Sequence, residues 1–234
     1  MTDLVAAAHG TADPRGIQVI HALTREIARQ RPSVPVSLGF VDVDTPALPA
    51  LVERVVADSN HAVIVPLLLS SGYHVTTDIQ GEARRRPDQV TAADPLGPHP
   101  VLAQILADRL AESLVAGVDG VDSVVLAAAG SSDRRALLDC SSVAAELSAV
   151  IDRPVEVGYV SGAGERLPAV LARTTGRVAV ATYLLAPGFF ADRVAAVAAR
   201  AGATASAPLG ADPRLAALAL HRYDVALRTA TLTV

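Results

Sequence analysis

The chain has 234 residues, a formal charge of −4 at pH 7 and a hydrophobic fraction of 51%. That length fits two compact units of roughly 100–120 residues; the mild acidity gives no reason to expect nucleic acid, and no apolar run reaches the roughly 18–20 residues of a membrane span. The single cysteine, Cys140, excludes an intrachain disulfide and a cysteine zinc cluster.

In chain order, Leu4–Ala8 is a short apolar run ending at His9-Gly10, the pattern of a buried strand. Positions 16–29 have helical spacing, with Ile17, Ile20, Leu23 and Ile27 on one face. Strands are expected at 34–41, 61–68 and 89–93, and helices at 47–57, with Pro46 in the first turn, and at 77–86 and 99–114. The remainder repeats the scheme, with strands at 123–128, 154–159 and 177–183. Its helices are expected at 134–151, 165–173, 191–201 and 213–228. Strand–helix alternation predicts an α/β fold with parallel sheets flanked by helices.

The two halves say the same thing in different residues. Leu4-Val5-Ala6-Ala7-Ala8-His9-Gly10-Thr11-Ala12-Asp13 returns as Val124-Val125-Leu126-Ala127-Ala128-Ala129-Gly130-Ser131-Ser132-Asp133. Three further blocks follow in the same order, aligning Gly39 with Gly158, Gly72 with Gly188 and Gly97 with Gly210. A period this long means two related domains rather than a solenoid. They are expected at 1–117 and 118–234, packed face to face with a seam near Ala116–Gly120 and a ligand cleft between them.

The chemistry is unevenly shared. His9 stands opposite Ala129, His74 opposite Phe190 and Asp42 opposite Ser161. Ligands of open α/β sheets bind beyond the carboxyl ends of strands, and His9, Asp42 and His74 all follow strand ends. Two imidazoles and a carboxylate make a mixed nitrogen and oxygen site for a divalent metal, and the same imidazoles can accept protons near neutral pH. His99 and Asp212 sit at matching helix starts, where capping explains both. Asp13 and Asp133 match across the halves and read as loop or capping residues. Arg84-Arg85-Arg86 is either a solvated helix end or a contact for a polyanion. All 20 basic residues are arginine, which removes lysine chemistry and suits paired hydrogen bonds to carboxylates. No Gly-x-Gly-x-x-Gly follows a strand, so a dinucleotide site has no support.

Ala8-His9-Gly10-Thr11-Ala12-Asp13-Pro14-Arg15, taken with the segment from Val65 to Ile79 that contains Ser70-Ser71-Gly72-Tyr73-His74-Val75, resembles the class II tetrapyrrole chelatases. The resemblance covers essentially the whole chain. It implies two tandem flavodoxin-like, chelatase-like domains and insertion of ferrous or cobaltous ion into sirohydrochlorin, a polycarboxylate tetrapyrrole, in siroheme or cobalamin biosynthesis. Carried over, His9 and His74 are the paired active-site histidines, acting as metal ligands or proton acceptors. Asp42 stands where such enzymes often carry Glu, as a third metal ligand. Ser70, Ser71, Gly72, Tyr73, Arg15 and Arg134 are the candidates for contact with the tetrapyrrole. The metal is substrate, so no permanent cofactor is implied. The partners are the tetrapyrrole and the ion, with no nucleic acid and no membrane. The start of the chain, with Asp3 and no basic leader, and the lone cysteine imply a cytoplasmic enzyme. The same residues would equally serve a non-catalytic carrier of metal or tetrapyrrole, from which multiple turnovers distinguish an enzyme.

Overall fold

A computed structural model describes residues 2–59, 61–72, 74–115 and 117–232; the side chains at 74, 76, 231 and 232 fall outside that description. The chain forms two units of one design. In the first, β1 (Thr2–Ala8), α1 (Pro14–Gln30), β2 (Val36–Phe40), α2 (Leu48–Ser59) and β3 (His61–Pro66) are followed by a π-helical segment, His74–Ile79. After it come α3 (Gln80–Arg85) and β4 (Val90–Ala92). The second holds α4 (Pro100–Ser113), β5 (Ser123–Ala128), α5 (Arg134–Ile151), β6 (Val155–Tyr159), α6 (Leu167–Arg173), β7 (Val178–Tyr183), α7 (Phe189–Arg200) and β8 (Thr204–Ala205). Last comes α8 (Pro213–Leu232).

Each sheet has four parallel strands, in the orders β2-β1-β3-β4 and β6-β5-β7-β8. Parallel strands buried on both faces read as near-continuous apolar runs, and Leu4 to Ala8 and Val124 to Ala128 are all buried. On one face of the first sheet, Val5, Ala7 and Ile64 pack against Leu48, Leu51, Val52 and Val55 of α2 and against Ile79. The second sheet repeats this with Val125, Ala127 and Val180 against Leu167, Val170, Val194 and Ala198. On α1, Ile20, Leu23 and Ile27 form the buried stripe. Asp13 caps that helix by accepting from the Arg15 N–H at 2.9 Å, and Pro14 at its start has no N–H to satisfy. Burial of one side chain every three or four residues is what holds such a helix on the sheet.

Three sequence expectations need correction. The helix expected at 47–57 begins at Leu48, and the proline in its first turn is Pro49. The second sheet has a fourth strand, β8, whose two residues are too few to show a period. The compact units are not the repeat halves 1–117 and 118–234. One comprises Met1–Leu96 with Ala211–Val234, and the other Gly97–Gly210. The cause is an exchange of closing helices. Helix α8, from the end of the second repeat, packs on α1, β3 and β4, and α4, from the end of the first, packs on α5, β7 and β8. The Arg31 guanidinium donates to both Asp224 carboxylate oxygens, at 2.5 Å and 2.9 Å, and the Tyr223 hydroxyl donates to the Thr2 carbonyl at 2.6 Å. In the other unit, Arg109 donates through Nε and Nη2 to the Leu209 carbonyl, at 3.3 Å and 3.1 Å. The chain changes units after Leu96 and after Gly210, near-equivalent points of the two copies.

Candidate active site

In the first sheet β1 lies between β2 and β3. The connections from β1 and β3 therefore diverge, and this is the switch point at which open α/β sheets bind ligands. Neighbouring strands are about 4.8 Å apart, so loops leaving β2, β1 and β3 start side by side. His9 directly follows β1 and Asp42 stands two residues past β2.

Main-chain bonds tie those two loops together. The Val41 N–H donates to the Ala8 carbonyl at 3.0 Å and the Asp42 N–H to the His9 carbonyl at 3.2 Å. The Asp44 carboxylate accepts from the Thr11 N–H at 2.8 Å. Gly10 has a φ of 91°, and a Cβ there would lie 3.1 Å from the Asp42 carbonyl oxygen. The His9 and Asp42 side chains are both exposed, so an imidazole and a carboxylate stand open to solvent on bonded loops.

The third loop is anchored at its root. The Leu67 N–H donates to the Ala7 carbonyl at 2.8 Å and the Leu96 N–H to the Leu68 carbonyl at 2.9 Å. Ser70, Ser71 and Gly72 lie half-buried along it. His74 opens the π-helical segment; its ring lies outside the described part of the structure, and so does Tyr73 as a whole. The wider turn of a π-helix is a frequent mark of functional sites. At the corresponding place in the second unit, α7 starts at Phe189 directly after Gly188. Among the described residues no three His, Cys, Asp or Glu side chains converge to hold an ion. The structure therefore places His9 and Asp42 on hydrogen-bonded neighbouring loops, and the backbone of His74 beyond the adjacent strand.

Other candidates are distributed differently. Arg15 is exposed, and its Nε and Nη2 donate to the Asp13 carboxylate, the closer contact being 2.6 Å. The guanidinium holds the Asp13 carboxyl below its ordinary range. Asp133 and Arg135 repeat the arrangement at 2.7 Å, so Arg15 belongs to a capping pair present in both copies. Arg134 is exposed on the second unit, at the first position of α5. In the arginine run, Arg85 and Arg86 both close on Glu82, a carboxylate only 1% exposed. His99 and Asp212 are caps, accepting from the N–H groups of Val101 at 3.2 Å and Arg214 at 2.9 Å.

The role of Asp44 is invisible to local sequence pattern. Its bond to Thr11 joins positions 33 residues apart, and no spacing announces it. The second unit makes the equivalent loop without either carboxylate. There the Ser161 N–H and hydroxyl both donate to the Ala129 carbonyl, at 2.8 Å and 2.7 Å. One loop design thus carries His9 and Asp42 in the first unit and Ala129 and Ser161 in the second.

Comparison with known proteins finds the same repeat. A family model described as CbiX matches twice, over residues 3–113 and 123–226. A sirohydrochlorin cobaltochelatase of Methanococcoides burtonii is 27% identical over 123 residues, covering 47% of this chain and 94% of its own. Among solved structures, SirB from Bacillus subtilis with Fe3+ superposes with a TM-score of 0.82 at 21% identity, covering 95% of this chain and 94% of that one. The sirohydrochlorin chelatase SirB from Bacillus subtilis subspecies spizizenii in complex with cobalt gives 0.76 at 22%, covering 94% and 93%. At these identities the structures establish the fold. With one match over each repeat and little of the sequence left outside them, the chain belongs to the CbiX family.

Proposed function

We propose that this chain is a sirohydrochlorin chelatase, inserting Fe2+ or Co2+ into the tetrapyrrole in siroheme or cobalamin biosynthesis. The observation that carries the reading is the rim of the first sheet, where His9 and Asp42 stand exposed on bonded loops and the His74 segment leaves the adjacent strand. The names of the family's relatives support the choice of substrate. Insertion replaces two pyrrole N–H protons with one divalent ion. It therefore needs donors that deliver the ion and bases that take the protons. Neutral imidazoles do both, and Asp42 adds an oxygen donor. Ser70, Ser71, Gly72 and Tyr73, on the loop after β3, and Arg15 and Arg134 are the proposed contacts to the tetrapyrrole. The metal is consumed as substrate, so the reaction calls for no resident cofactor. No helix among the described residues is long and apolar enough to cross a membrane; with one free cysteine, the reading places the enzyme in the cytoplasm.

The test is an anaerobic insertion assay with sirohydrochlorin and Co2+ or Fe2+, followed by absorbance over many turnovers and corrected for spontaneous insertion. The wild type should turn over repeatedly. His9→Ala and His74→Ala should each lose at least about a hundredfold, the scale of removing a positioned acid–base group, with unchanged far-UV circular dichroism. Stoichiometric binding without turnover would identify a carrier instead.

A further inference from the structure

The second unit has no histidine at its rim, yet that rim is not featureless. Away from the carboxyl ends of the strands, three of the unit's arginines are engaged with acids: Arg153 with Asp119 at 3.3 Å, Arg177 with Asp122 at 3.2 Å, and Arg173 with Glu165 at 2.8 Å and with Glu156; Arg200, at the far end of α7, has no carboxylate partner among the described residues. At the carboxyl-end rim Arg135 is taken by Asp133. Three others there have no carboxylate partner among the described residues. Arg134 starts α5, Arg166 immediately precedes α6, and Arg193 is the fifth residue of α7. Arg166 donates from Nη1 to the Val160 carbonyl at 2.8 Å. The other acids nearby are Glu165, already held by Arg173, and Asp192.

Arg166 and Arg193 line one pocket of about 170 Å³, whose walls are Tyr159, Leu167, Pro168 and Val197. Pockets for drug-sized ligands start at about 300 Å³, so this one suits a single short arm rather than a whole molecule. Two guanidinium groups over apolar walls select a carboxylate on an aliphatic stem. One turn away on α7 stand Phe189 and Phe190, 70% and 39% exposed, with ring centroids 5.6 Å apart in edge-to-face contact. The chain has three phenylalanines, and two of them face solvent here. Residues three and four apart on a helix are neighbours, so both rings adjoin Arg193. An exposed aromatic pair beside cations without acid partners fits a flat apolar body fringed with carboxylates. The first unit's rim has the opposite character, with Asp42 and Asp44 beside His9.

We propose that this rim is where the second unit holds the tetrapyrrole. Arg166 and Arg193 take one carboxylate arm in the pocket, Arg134 adds attraction, and Phe189 and Phe190 lie against the macrocycle. The first unit then handles the cation and the second the polyanion. This rests on the chelatase reading and adds to it the residues that recognise the tetrapyrrole.

The test is an absorbance titration of the full chain with metal-free sirohydrochlorin, beside a Co2+ titration without tetrapyrrole. Arg166→Ala/Arg193→Ala should raise the sirohydrochlorin Kd about tenfold or more, as loss of charged hydrogen bonds does, and should blunt its rise with salt. Co2+ binding should not change. Phe189→Ala/Phe190→Ala, which alters exposed residues only, should weaken sirohydrochlorin in the same way with the salt dependence retained. Arg200→Ala, at the far end of α7, should leave both titrations as in wild type. Wild-type affinity in both double variants, while the wild type inserts metal, overturns this assignment and leaves the chelatase reading standing. A wild type that neither binds nor metallates sirohydrochlorin overturns both. A change of oligomeric state in the phenylalanine variant, with sirohydrochlorin binding intact, makes the surface a contact between copies and also sinks the proposal.

Discussion

Cys140 shows how far burial can move a thiol. It is buried on α5 and hydrogen-bonds to Tyr159, and desolvation, reinforced by Asp139, pushes it up to about 12. Desolvation likewise raises the Tyr159 hydroxyl to about 12. Well below pH 9.0, the thiol's ordinary value, both the folded and the unfolded chain keep these groups protonated. Above it the unfolded chain releases protons that the folded unit keeps, so stability falls as pH rises through the window from about 9 to 12. Urea denaturation at pH 8, 9.5 and 11 should show a falling midpoint, with a shallower fall in Cys140→Ala; a flat wild-type profile would contradict the burial argument. The folded protein should also resist maleimide at pH 8, because the thiolate is the reactive form. Among the rim residues, His9 and Asp42 were legible in the sequence because each ends an apolar run, and strand ends share a rim. Asp44 was not, since its partner Thr11 lies on another loop. Arg166 and Arg193 were not either: their distinction is that they line one pocket at the rim without an acid partner, which emerges only once every other side chain is placed.

The elements themselves followed largely from pattern. Helix α1 was readable from Ile20, Leu23 and Ile27, and α5 begins and ends where expected, at Arg134 and Ile151. The π-helical turn at His74–Ile79 was legible only as the approach to a helix, because apolar spacing does not distinguish a turn widened by one residue. Strand β8 is held by bonds that no period reveals. The Thr182 N–H donates to the Ser206 hydroxyl at 3.0 Å, and the Thr182 hydroxyl donates to the Ser206 carbonyl at 2.7 Å. Turn geometry makes a sharper prediction. Gly130 has a φ of 96°, and a Cβ there would fall 1.9 Å from the Ser161 carbonyl oxygen, so no side-chain adjustment relieves it. Gly130→Ala should destabilise by at least about 1–3 kcal/mol, the scale of a strained backbone residue. Gly81 lies within helix α3, and a methyl group added there would meet nothing within 4 Å. Gly81→Ala should stabilise by up to about 1 kcal/mol. Thermal melts of the two variants test the contrast, and equal shifts would refute it.

At the scale of the whole molecule, the repeat was legible but its packing was not. Similarity between halves reports common ancestry of segments, whereas contact decides which sheet a helix covers: α8 packs on β3 and β4, and α4 on β7 and β8. The exchange predicts that a fragment ending at residue 117 leaves β3 and β4 without α8 and fails to fold alone. Adding a fragment of residues 118–234 should restore native circular dichroism, and the intact chain should melt in one transition rather than two. Independent folding of the first fragment would show that α8 is dispensable. The exchange also bears on how the two rims came to differ. A molecule with a single copy of this design leaves its own last helix with nowhere to pack except on a second molecule, and in a symmetric pair every substitution is made twice. Covalent joining lifts that symmetry: position 9 keeps its imidazole while position 129 gives it up, and carboxylates gather on one lobe without being forced on the other.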